Sequence, residues 1–283
     1  MDLISKKFHI PSCIYTPCSI EESSFIADFG SVFVKSLFND FVRFSETQEG
    51  YKESELVLRK LYEQFLDHLS SNDRPFLIAI GGSPGAGKTR FRKKFLKMEN
   101  VHLHDMDEVM VALPGYQEDL IKIKAKKAFE KWWRPAREMA QTMVRFAIES
   151  NYSIIYDRTC GAEGSYFDFL EAKKRGYHLQ LIGLYVDKNV ANERVLKREW
   201  EEGRAMTEAM LSEYRARFSA LWPYYLDIMD EIDLYQMNGE IPELIFSSKE
   251  GIRDLSTYQV FLMEGDAFKD YFAQKLQPFS SFN

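Results

Sequence analysis

The chain has 283 residues, of which 45% are hydrophobic and 28% charged, and its formal net charge is −6. These fractions are typical of a globular protein and exclude a disordered chain, a collagen-like fibre and a disulfide-stapled miniprotein. The acidic balance argues against nucleic acid and anionic membranes as partners, because both bind basic surfaces. The three cysteines, Cys13, Cys18 and Cys160, are too few for a disulfide framework. We therefore expect free thiols in a cytoplasmic protein.

The amino-terminal residues show no basic segment followed by an apolar run, which argues against a signal peptide. No stretch approaches 18 uninterrupted apolar residues, so we expect no membrane-spanning segment. A secretion signal that a receptor reads, as a bacterial effector would carry, is compatible with this sequence.

The first 50 residues predict an extension rather than part of the main domain. An irregular arm with two prolines ends at residue 18, and a helix begins at the capping box of Ser19 and Glu22. A second helix is predicted from about residue 53 to residue 69. We place an N-terminal arm and helical extension at residues 1–50 and one α/β domain at residues 51–283.

Short apolar runs and helical segments alternate from residue 76 onwards. The runs predict four strands and a weaker fifth, at residues 76–81, 101–105, 153–157, 178–186 and 232–236. Helices are predicted at residues 89–97, 125–150, 163–175, 189–203 and 207–229, and Pro135 should begin a fresh helix within the second of these ranges. The last fifty residues give no clear pattern. The alternation predicts an α/β fold with a mainly parallel sheet, covered by helices on both faces.

The most specific motif follows the first strand. It reads G-x-x-x-x-G-K-[ST] and consists of Gly82, Ser83, Pro84, Gly85, Ala86, Gly87, Lys88 and Thr89. Such a loop turns successive backbone N–H groups towards a phosphate, and the following helix adds its positive end. We expect the lysine to contact the β- and γ-phosphates of ATP or GTP, and the threonine hydroxyl to bind Mg²⁺. The motif predicts a P-loop NTPase sandwich of three layers but leaves the reaction open.

Acidic residues follow two of the predicted strands. Asp105 and Asp107 come after the second strand, and Asp157 ends the third, two residues before Thr159. The carboxyl ends of strands in an open α/β sheet face the ligand crevice, so these groups are expected near the phosphate loop. We interpret Asp107 as the general base that deprotonates an acceptor hydroxyl, with helix capping as the alternative. Asp157 is expected to hold Mg²⁺ or, with Thr159 and Asp105, to bind the acceptor.

His102 and His104 alternate along the second strand and therefore face the same side of it. With Asp105 they superficially suggest a metal site. Packing in the core is the favoured interpretation, because no further pair of histidines or cysteines at zinc spacing accompanies them.

A charge-rich segment at the end of the fourth predicted helix suggests a lid over the nucleotide. Most segments of this kind are solvated helix faces. An arginine-bearing helix that leads into a Gly-Arg turn also suits a lid that brings cations to the phosphates. Arg198 and Arg204 are the candidates for this role, with Arg194 in reserve.

These motifs resemble the zeta-toxin family of P-loop kinases, which includes UDP-N-acetylglucosamine kinases. The resemblance covers about residues 53–251 and includes the phosphate loop, the D-x-D motif and an acidic-x-Thr element after the third strand. It implies that Asp107 is the base and that Arg198 and Arg204 form the arginine pair of the lid. An antitoxin or immunity protein is implied as a partner.

The chain departs from the family pattern at three positions. Asp157 stands where the family usually has Glu, Arg158 replaces a signature glycine, and Thr142 falls near a position that is acidic in the family. Those positions contact the nucleotide sugar in the toxins. The resemblance therefore implies the phosphoryl-transfer residues more strongly than the identity of the acceptor.

We expect a phosphotransferase that moves the γ-phosphoryl group of ATP or GTP, with Mg²⁺, to a hydroxyl group of a small molecule. A nucleotide sugar or a nucleotide is the favoured acceptor. The alternative is a nucleotide-binding regulatory or scaffold protein with weak hydrolysis, which needs neither Asp107 nor the lid arginines.

Overall fold

A computed structural model describes residues 64–123, 125–202 and 206–276. The predicted extension of residues 1–50, most of the helix predicted at residues 53–69, and the lid candidate Arg204 lie outside the described residues. The same is true of Cys13 and Cys18, whereas Cys160 is a buried free thiol.

A seven-stranded sheet forms the centre of the described chain. Its order is β2-β3-β1-β4-β5-β6-β7, and the first five strands of that order are parallel. The last two strands pair antiparallel at one edge. The strands are β1 (Phe76–Gly81), β2 (His102–His104), β3 (Ile154–Asp157), β4 (His178–Tyr185), β5 (Glu231–Gln236), β6 (Glu243–Ser247) and β7 (Gly251–Ile252). The mainly parallel sheet is confirmed, and the edge strands β6 and β7 are an addition that the sequence pattern did not give.

Nine α-helices and one short 3₁₀ helix, Asp266–Phe268, are found in the described part of the chain. The α-helices are α1 (Lys88–Phe95), α2 (Met106–Ala112), α3 (Pro114–Ile123), α4 (Ala125–Glu149), α5 (Glu163–Lys174), α6 (Lys188–Glu202), α7 (Glu208–Ile228), α8 (Leu255–Glu264) and α9 (Lys269–Leu276). None of these helices is long and apolar enough to cross a membrane.

Alternate residues of the central strands face two separate cores. Ile78 of β1 packs on one face with Phe91 of α1 and Val195 of α6. Its neighbour Leu77 packs on the other face, in a larger cluster that includes Met139 of α4, Phe169 of α5 and Trp222 of α7. Because a parallel sheet needs cover on both faces, this arrangement gives the helix–sheet–helix sandwich that the sequence predicts.

The prediction that Pro135 begins a fresh helix is wrong. Helix α4 runs without interruption from Ala125 to Glu149 and contains Pro135 in its interior. The physical reason is tertiary packing, which outweighs the cost of one missing N–H donor. A single buried stripe continues past the proline through Ala128, Trp132, Ala136, Met139 and Met143.

The carboxyl-terminal helices attach to the loop after β3 through Arg217 of α7. Its Nε donates to the carbonyl oxygen of Gly161 at 3.0 Å, and its Nη2 lies 3.3 Å from Glu163 Oε2. The guanidinium also lies over three aromatic rings, at 5.4 to 5.5 Å from the centroids of Phe268, Tyr271 and Phe272. Cation–π contacts of this kind join the 3₁₀ helix and α9 to the sheet's carboxyl edge.

Candidate active site

The phosphate loop of residues 82–89 connects β1 to α1 and requires its glycines. Gly82 has φ 141° and Gly85 has φ 81°, both in the region that side-chain-bearing residues rarely adopt. A Cβ on Gly82 would lie 2.4 Å from the carbonyl oxygen of Leu184, and one on Gly85 would lie 2.8 Å from that of Ala191. Both neighbours are backbone atoms, so the loop fits closely between the end of β4 and the start of α6.

The Lys88 side chain folds back over this loop. Its Nζ donates to the carbonyl oxygens of Gly82 at 2.9 Å and Ser83 at 3.1 Å. Burial lowers the pKa of Lys88 from its ordinary value, and the nearby Asp157 carboxylate opposes that shift. The ammonium is therefore a half-buried cation at the loop, where a phosphate would be its natural partner.

The loop after β3 is tied to the phosphate loop. The backbone N–H of Gly82 donates to the carbonyl oxygen of Thr159 at 3.1 Å. Cys160 follows with φ 52°, and its carbonyl oxygen accepts a hydrogen bond from the Tyr225 hydroxyl at 2.7 Å. Burial raises the pKa of the Cys160 thiol to about 12, so this cysteine is a neutral packing group rather than a nucleophile.

Asp105 and Asp107 have different environments. Asp105 caps the amino terminus of α2, and its Oδ1 accepts a hydrogen bond from the backbone N–H of Asp107 at 2.9 Å. The two carboxylates have different cationic partners, Arg92 for Asp105 and Arg198 for Asp107. The Asp105 carboxyl is buried, and burial together with the charges of Asp157 and Asp107 raises its pKa to about 6. The Asp107 carboxylate is 37% exposed in the first turn of the helix, which leaves it accessible to a substrate.

Arg92 of α1 joins the acidic groups behind the phosphate loop, and the sequence reasoning missed it. Its Nε donates to Asp157 Oδ2 at 2.9 Å, and its Nη2 donates to Asp105 Oδ2 at 3.1 Å. Nη2 also lies 3.5 Å from Glu108 Oε1. Arg92 is only 8% exposed. A signal existed in the sequence, because Arg92 follows Lys88 by one helical turn and so shares its side of α1.

Two arginines of α6 approach the site. Arg198 Nη2 lies 3.7 Å from Asp107 Oδ2, which brings the predicted lid cation to the predicted base. Arg194 donates from Nη1 to the carbonyl oxygen of Gly85 at 3.2 Å and from Nη2 to that of Met237 at 2.9 Å. Arg194 thus braces the phosphate loop against the end of β5, while Arg198 faces Asp107.

The family model described as "Zeta toxin" matches residues 62–221, which is more than half of the chain. This chain belongs to the zeta toxin family. Membership in that family confirms the predicted resemblance, the predicted phosphotransferase class and its nucleotide-binding character. The search of curated proteins finds no match to the chain.

Solved structures support the same fold. A structure from the PezAT chromosomal toxin–antitoxin system of Streptococcus pneumoniae is 20% identical and has a TM-score of 0.55, with 79% of this chain and 98% of that chain covered. The native AvrRxo1-ORF1:-ORF2 complex is 15% identical with a TM-score of 0.54, and 75% of this chain and 73% of that chain are covered. The same complex with ATP is 14% identical with a TM-score of 0.50, and 87% and 78% are covered. At these identities the similarity concerns the fold.

Two of the three positions at which this chain departs from the zeta toxin pattern follow or end β3, and the third lies on α4. Asp157 is buried against Arg92, Arg158 contacts the His104 ring, and Thr142 is half-buried on α4. The structure brings Asp105, Asp107 and Asp157 to the carboxyl edge of the sheet, as the sequence predicts. Their binding and catalytic roles, and those of Thr159 and Arg204, remain predictions.

The histidines of β2 belong to the core. His102 and His104 are each 1% exposed, and their rings lie against neighbouring apolar and aromatic groups. Burial lowers the pKa of His102 to about 4 and that of His104 well below its ordinary value. Within residues 64–123, 125–202 and 206–276, no group of three or more His, Cys, Asp or Glu side chains is arranged to hold a metal ion.

Proposed function

We propose that the chain is a kinase that transfers the γ-phosphoryl group of ATP or GTP to a hydroxyl group of a small metabolite. A nucleotide sugar or a nucleotide is the favoured acceptor. The observation that carries the proposal is the approach of Arg198 to Asp107 at 3.7 Å, on elements that flank the phosphate loop. A scaffold would need neither a half-exposed carboxylate there nor a cation facing it.

Each of the proposed site residues has its own role in phosphoryl transfer. Asp107 accepts the proton of the acceptor hydroxyl as that oxygen attacks the γ-phosphorus. Lys88, already at the loop carbonyls, holds the β- and γ-phosphates. Arg198 and Arg204 stabilise the charge that develops on the transferring group.

Asp157, Asp105 and Thr159 are the remaining groups that we place beside the phosphates. Asp157 and Thr159 are proposed to bind the acceptor or to fix water around the metal, and Asp105 to contribute mainly by holding the turn that carries Asp107. The Arg92 contacts to both acids support this arrangement, because they fix the two carboxylates relative to α1.

The residues present suit Mg²⁺. Thr89 is the second residue of α1 and is exposed, and the Asp157 carboxylate lies close enough to Lys88 to influence its pKa. Mg²⁺ is usually held by one or two oxygen ligands together with substrate phosphates, so no all-protein cage is needed. When bound, the ion neutralises phosphate charge. Thr89 and Asp157 are the residues that would hold it.

A protein partner is also proposed. The similar structures come from a toxin–antitoxin system and from a two-protein complex, and an antitoxin or immunity protein would be the corresponding partner here. Co-expression of the chain with the products of neighbouring genes tests this proposal. A partner should protect cells from the active chain and should co-purify with it.

Labelling tests the proposed function. The chain is incubated with γ-labelled ATP and a metabolite extract, and the products are separated by thin-layer chromatography and mass spectrometry. A new phosphorylated metabolite, absent with Lys88→Ala, is the expected result. Release of inorganic phosphate alone would instead favour the scaffold with weak hydrolysis.

A further inference from the structure

The phosphate loop rests on residues 184–194, which run from the end of β4 into α6 and which we call the supporting segment. A Cβ on Gly82 would lie only 2.4 Å from the carbonyl oxygen of Leu184 in this segment. From the other end of the segment, Arg194 Nη1 donates to the carbonyl oxygen of Gly85 at 3.2 Å. Because these contacts are so close, the position of the supporting segment determines the position of the loop.

A buried cation of α7 holds the supporting segment from the side of the core. The side chain of Arg215 is 6% exposed, and its Nη1 donates to the carbonyl oxygen of Val186. The guanidinium also lies over the ring of Tyr185, at 5.1 Å from the centroid. Two consecutive residues of the supporting segment therefore contact the same guanidinium, which combines a hydrogen bond with a cation–π contact.

The counter-charge of Arg215 comes from the last residue of α8. Glu264 Oε1 lies 2.5 Å from Arg215 Nη2 and accepts a hydrogen bond from the Tyr185 hydroxyl at 3.1 Å. Burial raises the pKa of Tyr185 to about 12, so the hydroxyl keeps the proton that it donates. Among the described side chains, Glu264 is the only carboxylate that forms an ion pair with Arg215. Loss of the Glu264 charge would leave the guanidinium buried without a counter-ion.

Further hydrogen bonds fix α8, and with it Glu264, on α7. The Ser219 hydroxyl donates to the carbonyl oxygen of Phe261, and Trp222 Nε1 donates to the Tyr258 hydroxyl at 3.1 Å. These two contacts lie about one and two helical turns before Glu264 along α8. The carboxylate is therefore presented to Arg215 by a helix that cannot shift along its neighbour without breaking several buried hydrogen bonds.

We propose that Glu264 is a positioning residue for the phosphate loop and acts through Arg215 and the supporting segment. The carboxylate holds the guanidinium against the carbonyl oxygen of Val186, and the supporting segment in turn fixes the loop whose N–H groups receive the nucleotide phosphates. Helix α8 begins beyond residue 221, at which the match to the zeta toxin family model ends. The inference rests on the proposed binding of ATP or GTP by the loop and extends the site to the carboxyl-terminal helices.

Nucleotide affinity tests the inference on the full chain and needs no acceptor. Titration calorimetry with ATP and with ADP, each with Mg²⁺, compares the wild type with Glu264→Gln at a temperature at which circular dichroism shows both to be folded. We expect both dissociation constants to rise by about two- to thirtyfold, the usual range for a residue that influences a site without contacting the ligand. The losses should be alike for the two nucleotides, because the loop N–H groups bind the α- and β-phosphates that ATP and ADP share.

A neighbouring acid provides the matched control. Asp266 lies two residues beyond Glu264, its side chain is 58% exposed, and it pairs with Lys269 at the surface. Asp266→Asn should therefore leave both affinities unchanged. Glu264→Asp keeps the charge but draws the carboxylate back by one methylene group, and it should weaken both nucleotides less than Glu264→Gln does. Should Glu264→Gln fail to fold, Glu264→Asp decides: wild-type affinities for both nucleotides would overturn the inference.

The pattern of losses separates this inference from its alternatives. A folded Glu264→Gln variant that binds both nucleotides as the wild type does, with only a lower melting temperature, would show that the ion pair contributes to stability alone. A loss confined to ATP would place the effect at the γ-phosphate and not at the loop. Either result overturns the inference and leaves the proposed kinase intact. Failure of the wild-type chain to bind ATP and GTP would contradict the proposed function itself, and the inference with it.

Discussion

Arg198 Nη2 and Asp107 Oδ2 lie 3.7 Å apart, so the α6 arginine faces the carboxylate of the first turn of α2. Both side chains are partly exposed, which limits the stability that this ion pair gives. Its significance is positional. In the proposed kinase, the pair would place a cation and the base on the two sides of the space through which a phosphoryl group passes.

Removal of the Arg198 charge should affect transfer and not ground-state nucleotide binding. We expect Arg198→Gln to lower turnover by about 10³-fold, the lower range for an arginine that neutralises a transferring phosphoryl group. ADP affinity should change little, because ADP lacks the γ-phosphate. Lys197→Gln, an exposed neighbour on the same helix, serves as the control. An equal loss of ADP affinity would place Arg198 in the nucleotide site instead, and Arg204→Gln should be measured in parallel.

Arg92 should be a stability determinant of the site. Arg92→Met leaves Asp105 and Asp157 buried without their shared cation, and the free energy of unfolding should fall by about 3–5 kcal/mol. Chemical denaturation of the single variants and of Arg92→Met combined with Asp105→Asn measures the coupling. The double variant should lose less than the sum of the two single losses. Additive losses would show that Arg92 and Asp105 do not act as a unit.

The buried histidines of β2 predict a loss of stability in acid. The pKa of His102 is about 4 in the folded chain, below its ordinary value of 6.5, so the unfolded chain binds the proton first as pH falls. Stability should therefore decline from about pH 6.5 to pH 4, with an upper bound of about 3 kcal/mol from this one group. His102→Leu should flatten that part of the denaturation profile.

Asp105 acts in the opposite direction over part of the same range. Its folded pKa of about 6 lies above its ordinary value, so its protonation favours the folded chain as pH falls from about 6 to 4. Asp105→Asn should therefore steepen the acid loss. The His102 prediction would be contradicted if His102→Leu left the pH dependence of the free energy of unfolding unchanged. That result would show that His102 binds its proton equally well in the folded and unfolded chain.

The parts of the site that depend on local sequence were predictable. The phosphate loop has one spacing of glycines, lysine and threonine, and the parallel sheet then dictates that residues after β2 and β3 meet beside it. The Asp105 cap is equally local, since it acts on an N–H two residues away. What the sequence left open was which of the two aspartates caps and which remains exposed.

Arg92 illustrates the limit of the sequence, because its position one helical turn after Lys88 indicates its side of α1 but not its partners. Its partners lie 13 and 65 residues away, and a run of basic residues on α1 gives no indication that one of them is buried. The interior position of Pro135 has the same origin, because the buried stripe of α4 exists only once the helix packs on the sheet. The edge strands β6 and β7 escaped detection because many of their residues are exposed or half-buried, so they lack the continuous buried apolar run of a central strand such as β3.

The most direct test compares Asp107→Asn with Asp105→Asn in labelled transfer to the cognate acceptor, with ATP affinity and thermal stability measured on the same samples. Asn is nearly isosteric with Asp and has no basic carboxylate. Asp107→Asn should keep the fold and the ATP affinity and lose about 10²–10⁴-fold in turnover, the usual contribution of a general base. Asp105→Asn should lower turnover less than Asp107→Asn does. Normal turnover by Asp107→Asn would contradict the assignment of the base, and normal turnover by both variants would contradict phosphoryl transfer at this site.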